Sequence, residues 1–65
     1  PSSAASDVYK RQVHDGTVHL CLDPTAGKFL RVETEDGIFW FTGETDEKTE
    51  KIAEWIIEEM GQTAD

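Results

Sequence analysis

Two β-prone runs joined by an Asp-Gly pair, with an amphipathic helix close behind, constrain this 65-residue chain more than any other feature. The runs cover residues 28–34 and 38–42, and Asp36-Gly37 between them is a strong signal for a tight hairpin. Upstream, residues 18–22 alternate between aliphatic and other side chains, which is the pattern of a half-buried strand. The sequence therefore predicts an α+β fold: a three-stranded antiparallel meander followed by one C-terminal amphipathic helix.

The helix has recognisable ends, and we expect it over residues 46–60. Thr45 or Asp46 can cap its first turn, and Gly61 stands where a C-terminal cap belongs. An apolar stripe with Trp55 at its edge should face the sheet, and it consists of Ile52, Ala53, Ile56, Ile57 and Met60.

The hairpin has two possible registers. A two-residue Asp36-Gly37 loop puts Phe39 and Phe41 on the face of Leu30 and Val32, which leaves three large side chains on the other face: Phe29, Ile38 and Trp40. A three-residue loop that begins at Glu35, with a bulge at Gly37, exchanges the faces of the third strand. Both registers leave large aromatic side chains on both faces, and one helix covers only one face.

Sixty-five residues form at most one small domain. Residues 1–13 are predicted to be a disordered or artefactual lead-in, because they show almost no apolar periodicity and residues 1–12 resemble a translated sequencing adapter. The chain also begins without Met, so we expect residues 14–61 to be a single small domain, truncated at its start and encoded by a bacterial metagenomic fragment. Residues 62–65 are predicted to be a frayed tail.

Charge and cysteine content restrict the classes of function. The net charge of −8 argues against binding to nucleic acid, because phosphate contacts need clustered Lys and Arg. No apolar run approaches the length of a membrane span. The single cysteine, Cys21, cannot form an internal disulfide, and a lone thiol favours a reducing, cytoplasmic location.

No residues are predicted to act in catalysis or to bind a cofactor or a metal. His14, His19 and Cys21 lack the paired spacing of a structural zinc site. The carboxylates near residues 33–44 form a solvated charge run rather than an acid–base pair in a pocket. We therefore expect a protein that is not an enzyme.

The order of strand, Asp-Gly hairpin, polar joint and C-terminal helix over roughly residues 18–60 resembles the end of bacterial pleckstrin-homology-like domains. The similar residues are Phe29-Leu30-Arg31-Val32-Glu33-Thr34-Glu35-Asp36-Gly37-Ile38-Phe39-Trp40-Phe41 and Glu44-Thr45-Asp46-Glu47-Lys48-Thr49. The resemblance implies a small β-barrel closed by the helix and used for binding or assembly, although the first strands of that family are missing here.

A second resemblance is to the peptide-recognition domain of ribosomal-peptide maturation systems. Its residues are Asp15-Gly16-Thr17-Val18, Leu22-Asp23, Gly27-Lys28-Phe29, Trp40 and Ile52-Ala53. This family would make residues 33–42 a helix and would bind a leader peptide as an added strand. Glu33 stands where that family has an Asn cap, and β propensity favours a strand over residues 38–42.

The sequence thus predicts a non-catalytic binding or assembly module that uses an apolar sheet face or an open edge strand. Its partner is a protein, a peptide or a second copy of itself. We expect Phe29, Arg31 and Trp40 to form the contact surface, because the two-residue loop places them together. A third hypothesis, a small acidic inhibitor that imitates nucleic acid, rests on the charge alone.

Overall fold

The fold was analysed in a computed structural model that describes residues 6–61. Four antiparallel strands form one sheet in the order β1-β2-β3-β4, and a single helix packs on one of its faces. The elements are β1 (Ser6–Val13), β2 (Gly16–Asp23), β3 (Gly27–Thr34), β4 (Gly37–Phe41) and α1 (Asp46–Met60). The α+β class is confirmed, but the predicted number of strands was wrong.

The additional strand is β1, and it lies in the segment that the sequence assigns to a disordered or artefactual lead-in. β1 pairs with β2 from Ser6 to Val13, with a bulge between Asp7 and Tyr9. The bulge shifts the alternation at the start of the strand, and Arg11 lies between Tyr9 and Val13 on the same face, so no apolar alternation is visible in the sequence. Tyr9 and Val13 contact the core, and pairing with β2 provides the rest of the strand's stability. The predicted tail at residues 62–65 lies outside the described residues.

The core lies between α1 and the sheet, and α1 packs mainly on β3 and β2. Its buried apolar side chains come from all of the elements except β4: Val13, Val18, Leu20, Leu30, Val32, Ala53 and Ile56. The sheet therefore has one covered face and one open face. β4 lies at the side of the sheet that α1 covers least.

The predicted bounds and caps of α1 are confirmed. The hydroxyl oxygen of Thr45 accepts a hydrogen bond from the Lys48 N–H at 3.1 Å, which satisfies one of the free donors of the first turn. At the other end, Gly61 has a φ of 82°, and its N–H donates to the Ile57 carbonyl at 3.0 Å.

The joint between β4 and α1 is fixed by the buried hydroxyl of Thr49. That hydroxyl accepts a hydrogen bond from the Gly43 N–H at 2.8 Å and donates to the Thr45 carbonyl at 3.1 Å. The contact sets the position at which the helix leaves the sheet.

In the β3–β4 hairpin the side chains lie on the predicted faces of the sheet, but the two-residue loop lies one residue earlier than predicted. Thr34 pairs with Gly37, so Glu35 and Asp36 form the two-residue loop and Gly37 begins β4. No described residue other than glycine has a positive φ, so Glu35-Asp36 is not a type I′ turn, whereas Gly37 has a φ of 138°. Phe39 and Phe41 lie on the face of Val32 and Leu30, as the predicted two-residue loop requires. Because the loop lies one residue earlier, however, Phe39 pairs with Val32 and Phe41 with Leu30, whereas the predicted loop would place Phe41 opposite Val32.

Candidate functional site

A row of polar side chains crosses the open face of β1, β2 and β3. At its centre His19 is only 6% exposed. Its Nε2 lies 2.9 Å from Glu33 Oε1, and its Nδ1 lies 3.3 Å from Asp7 Oδ2 and 3.4 Å from the Arg31 guanidinium. These neighbours satisfy both ring nitrogens, so the row holds three strands together without a covering layer.

Cys21 continues this row, and its environment opposes nucleophilic chemistry. Its thiol donates to Asp7 Oδ1 at 3.3 Å. Burial, together with the hydrogen bond to the Asp7 carboxylate, raises the pKa of the thiol to about 11, so it remains protonated at neutral pH. Among residues 6–61, no three His, Cys, Asp or Glu side chains are arranged to hold a metal ion.

The three residues expected to form a contact surface all lie on the open face. Phe29 and Trp40 line a hollow of about 350 Å³ beside the turn that precedes β3, and Trp40 is 53% exposed. Arg31 pairs with Trp40 across β3 and β4. Its Nε lies 3.5 Å from Glu33 Oε2, so its guanidinium also belongs to the polar row. The structure therefore brings Phe29 and Trp40 together at the hollow. Arg31 lies between this aromatic pair and the polar row around His19.

The covered face has a second apolar surface that the sequence did not predict. A groove of about 490 Å³ runs between β4 and α1, and its lining includes Phe39, Phe41 and Trp55. These side chains are 45%, 44% and 63% exposed, respectively, because α1 lies over the middle of the sheet and stops short of β4. The only sequence signal for this groove was the position of Trp55 at the margin of the helical stripe.

The hollow and the groove lie on opposite sides of one edge strand. β4 has only β3 as a neighbour within residues 6–61, and none of its five residues is charged. We call this surface the aromatic edge, and it comprises Phe29, Ile38, Phe39, Trp40, Phe41 and Trp55. Its apolar side chains flank an edge whose outward backbone groups can pair with another strand.

Comparison with known proteins places the chain in no family: no protein-family model, curated protein or solved structure matches it. The helix formed within residues 6–61 is too short and too polar to cross a membrane.

Proposed function

We propose that this protein is a non-catalytic binding or assembly module and that the aromatic edge is its contact surface. The observation that carries the proposal is the exposure of β4. Its four large apolar residues, Ile38 to Phe41, are each at least 44% exposed on a strand with an open edge. Apolar residues grouped in this way on a small protein are typical of an interaction site.

Strand addition is the mode of binding that fits this surface. A partner strand beside β4 would take its affinity from main-chain hydrogen bonds. Its side chains would alternate between the hollow at Trp40 and the groove at Phe39, which lie on opposite faces of the sheet. The single cysteine, Cys21, cannot form an internal disulfide, and a lone thiol favours a reducing, cytoplasmic location.

Two more specific versions of the proposal follow from the sequence resemblances. As a pleckstrin-homology-like fragment, the protein would bind through the same sheet that its helix closes. As a leader-peptide-recognition domain, it would bind a peptide as an added strand. Residues 33–41 form the end of β3, a turn and β4, whereas that family has a helix over residues 33–42, so we favour the first version. The acidic-inhibitor hypothesis has only the net charge of −8 in its favour.

Hydrogen–deuterium exchange on dilute protein tests the proposed function. The probe is a short synthetic peptide in which Val and Thr alternate between terminal lysines. The expected result is slower exchange of the backbone amides of Ile38 and Trp40, because a strand paired with β4 engages these groups. The control peptide has the same sequence with alternate N-methylated residues and lacks donors along one edge. Equal effects of the two peptides, or protection at β1 in place of β4, would contradict the proposal.

A further inference from the structure

We infer that the partner of the aromatic edge is a second copy of this chain, so that two sheets join through β4 into one antiparallel eight-stranded sheet. The inference rests on the proposed function and names its partner. In this dimer the two β4 strands are related by a two-fold axis beside Phe39, which places Ile38 opposite Trp40 of the second copy. Three properties of β4 support this arrangement.

The first property is the direction of the backbone groups. Gly37 pairs with Thr34 and closes a two-residue loop, so this pair is the hydrogen-bonded kind, and bonded pairs alternate along the hairpin. By this alternation the N–H and C=O groups of Ile38 and Trp40 point away from β3. A two-fold axis beside Phe39 joins these outward groups in reciprocal pairs, and the register uses every outward donor and acceptor of the strand.

The second property is the fit of the side chains. The same register places Phe41 opposite Gly37 of the second copy, and an aromatic ring across the sheet from a glycine is a stabilising pair. Phe39 meets Phe39 of the second copy on the helix side, where the two grooves become continuous. Trp55 projects toward this space from α1 and is the most exposed large apolar side chain of the described residues, at 63%.

The third property is the available area. A large aromatic side chain presents about 150–250 Å², so the roughly half-exposed members of the aromatic edge offer about 500 Å² of apolar surface per copy. A stable interface buries about 800 Å² per partner. Backbone groups of the edge strand and polar side chains at the rim of the contact can provide the remaining buried area. The apolar fraction of the total is then similar to that of homodimer interfaces.

Charge determines how such a dimer should respond to salt. Each copy has a net charge of −8, but β4 has no charged residue. Salt therefore screens the repulsion between copies without weakening the contact itself. A basic partner would show the opposite dependence, because salt would weaken its attraction to this chain.

Sedimentation equilibrium of the full chain over a range of concentrations tests the inference. We expect a reversible dimer whose Kd falls when NaCl is raised from about 50 mM to about 500 mM. Phe39→Lys should raise the Kd at least about tenfold, because it places a charge at the centre of the contact. Trp55→Lys should act in the same direction from α1, and because Trp55 is 63% exposed the substitution removes no buried side chain from the core. Val8→Lys on β1 is the matched control, because it makes the same change of charge at a side chain that is 50% exposed, and it should not raise the Kd.

Cross-linking tests the register. In a Cys21→Ala background, Phe39→Cys should form a disulfide-linked dimer on mild oxidation, because residues 39 of the two copies face each other at a Cα separation of about 4.5 Å. Ile38→Cys is the matched control: its nearest equivalent lies two residues further along the second strand, beyond the reach of a disulfide. Rapid linkage of Ile38→Cys with none of Phe39→Cys would overturn the register.

The outcomes separate this inference from the proposed function. A chain that stays monomeric at every concentration, while the alternating peptide still protects β4, overturns the second copy as partner and leaves the proposed function standing. A chain that is monomeric and gives no such protection overturns both. A dimer that is insensitive to Phe39→Lys and Trp55→Lys uses another surface and also overturns the inference.

Discussion

The two edges of the sheet have opposite properties. β1 carries three charged residues, Asp7, Lys10 and Arg11, and a bulge, all of which discourage pairing with another chain. It is also bound into the molecule, because Tyr9 packs against the core and Asp7 contacts Cys21. β4 is uncharged, has no bulge in its pairing with β3, and is exposed on both faces. An edge protected from association is thus part of the folding unit, whereas the unprotected edge is available for binding.

Deleting residues 1–13 tests this contrast with the largest expected effect. The deletion removes β1, which takes Tyr9 and Val13 from the core and exposes the backbone of β2. A domain of this size has only a few kcal/mol of stability, so the shortened chain should lose cooperative unfolding in urea. The control deletes residues 1–5 and leaves β1 intact, and it should behave like the full chain. If residues 14–65 alone unfold at the midpoint of the full chain, the segment before His14 is a lead-in after all.

The glycines that follow the two edge hairpin loops should differ in their tolerance of a side chain. A Cβ on Gly16 would lie 1.8 Å from the Glu33 carbonyl oxygen, so Gly16→Ala forces β2 and β3 apart. We expect it to lower the free energy of unfolding by more than about 3 kcal/mol. Gly37→Ala meets no atom within 4 Å but places alanine at a φ of 138°. This should cost about 1–3 kcal/mol from backbone strain alone.

Urea unfolding of the two variants measures this difference. It should be carried out in dilute solution, where association does not contribute to stability. A larger loss for Gly37→Ala than for Gly16→Ala would show that the β4 hairpin, and not the β1 hairpin, is the more tightly constrained of the two.

Alanine substitutions of aromatic residues on the two edge strands should also differ in their cost to the free energy of unfolding, but by less than the two glycine variants. Tyr9 on β1 packs against the core beneath the Arg11 guanidinium, 4.7 Å from the ring centre, so Tyr9→Ala should cost about 2 kcal/mol of unfolding free energy. Trp40→Ala on β4 should cost less than about 1 kcal/mol in the monomer and should weaken association instead. Thermal unfolding in dilute solution and sedimentation provide the two measurements. A Trp40→Ala variant that lowers the Tm more than it weakens association would assign Trp40 to the core.

The elements that the sequence predicted are those whose own side chains specify them. α1 has a capping Thr45, an apolar stripe and a terminal Gly61, and its observed bounds equal the predicted ones. β2, β3 and β4 follow from alternation and turn residues. The two-residue register also placed Phe39 and Phe41 on the correct face, although the loop itself lies one residue earlier. Local pattern was sufficient wherever local interactions determine the structure.

The features that the sequence did not predict depend on tertiary contacts. β1 has little strand propensity of its own, and its pairing with β2 and the contact of Tyr9 with the core decide its structure. The lateral position of α1 follows from the joint at Thr49, which no periodicity reveals. That position leaves Phe39 and Phe41 uncovered, so half of the candidate site was visible only in the structure.

Acid should lower the stability that the Asp7 contacts on β1 give to the fold, and this is the smallest of the expected effects. The hydrogen bond from the Cys21 thiol, helped by the nearby His19 and Arg31, lowers the pKa of the Asp7 carboxyl below its ordinary value of 3.8, although partial burial opposes the shift. The ionised carboxylate therefore favours the folded state. Its contribution is complete above about pH 4 and is lost as the pH falls through the lowered pKa.

Asp7→Asn removes this titration from β1, so its urea midpoint should fall less steeply between about pH 5 and pH 2.5 than that of the unmodified protein. Asp36→Asn removes one exposed carboxylate from the β3–β4 loop and serves as the control, since it should follow the unmodified protein. β4 itself has no titratable side chain, so protonation within this pH range does not act on the strand directly. An acid response that persists in Asp7→Asn but disappears in Asp36→Asn would place the acid-sensitive contact at the β4 edge and reverse the assignment of the two edges.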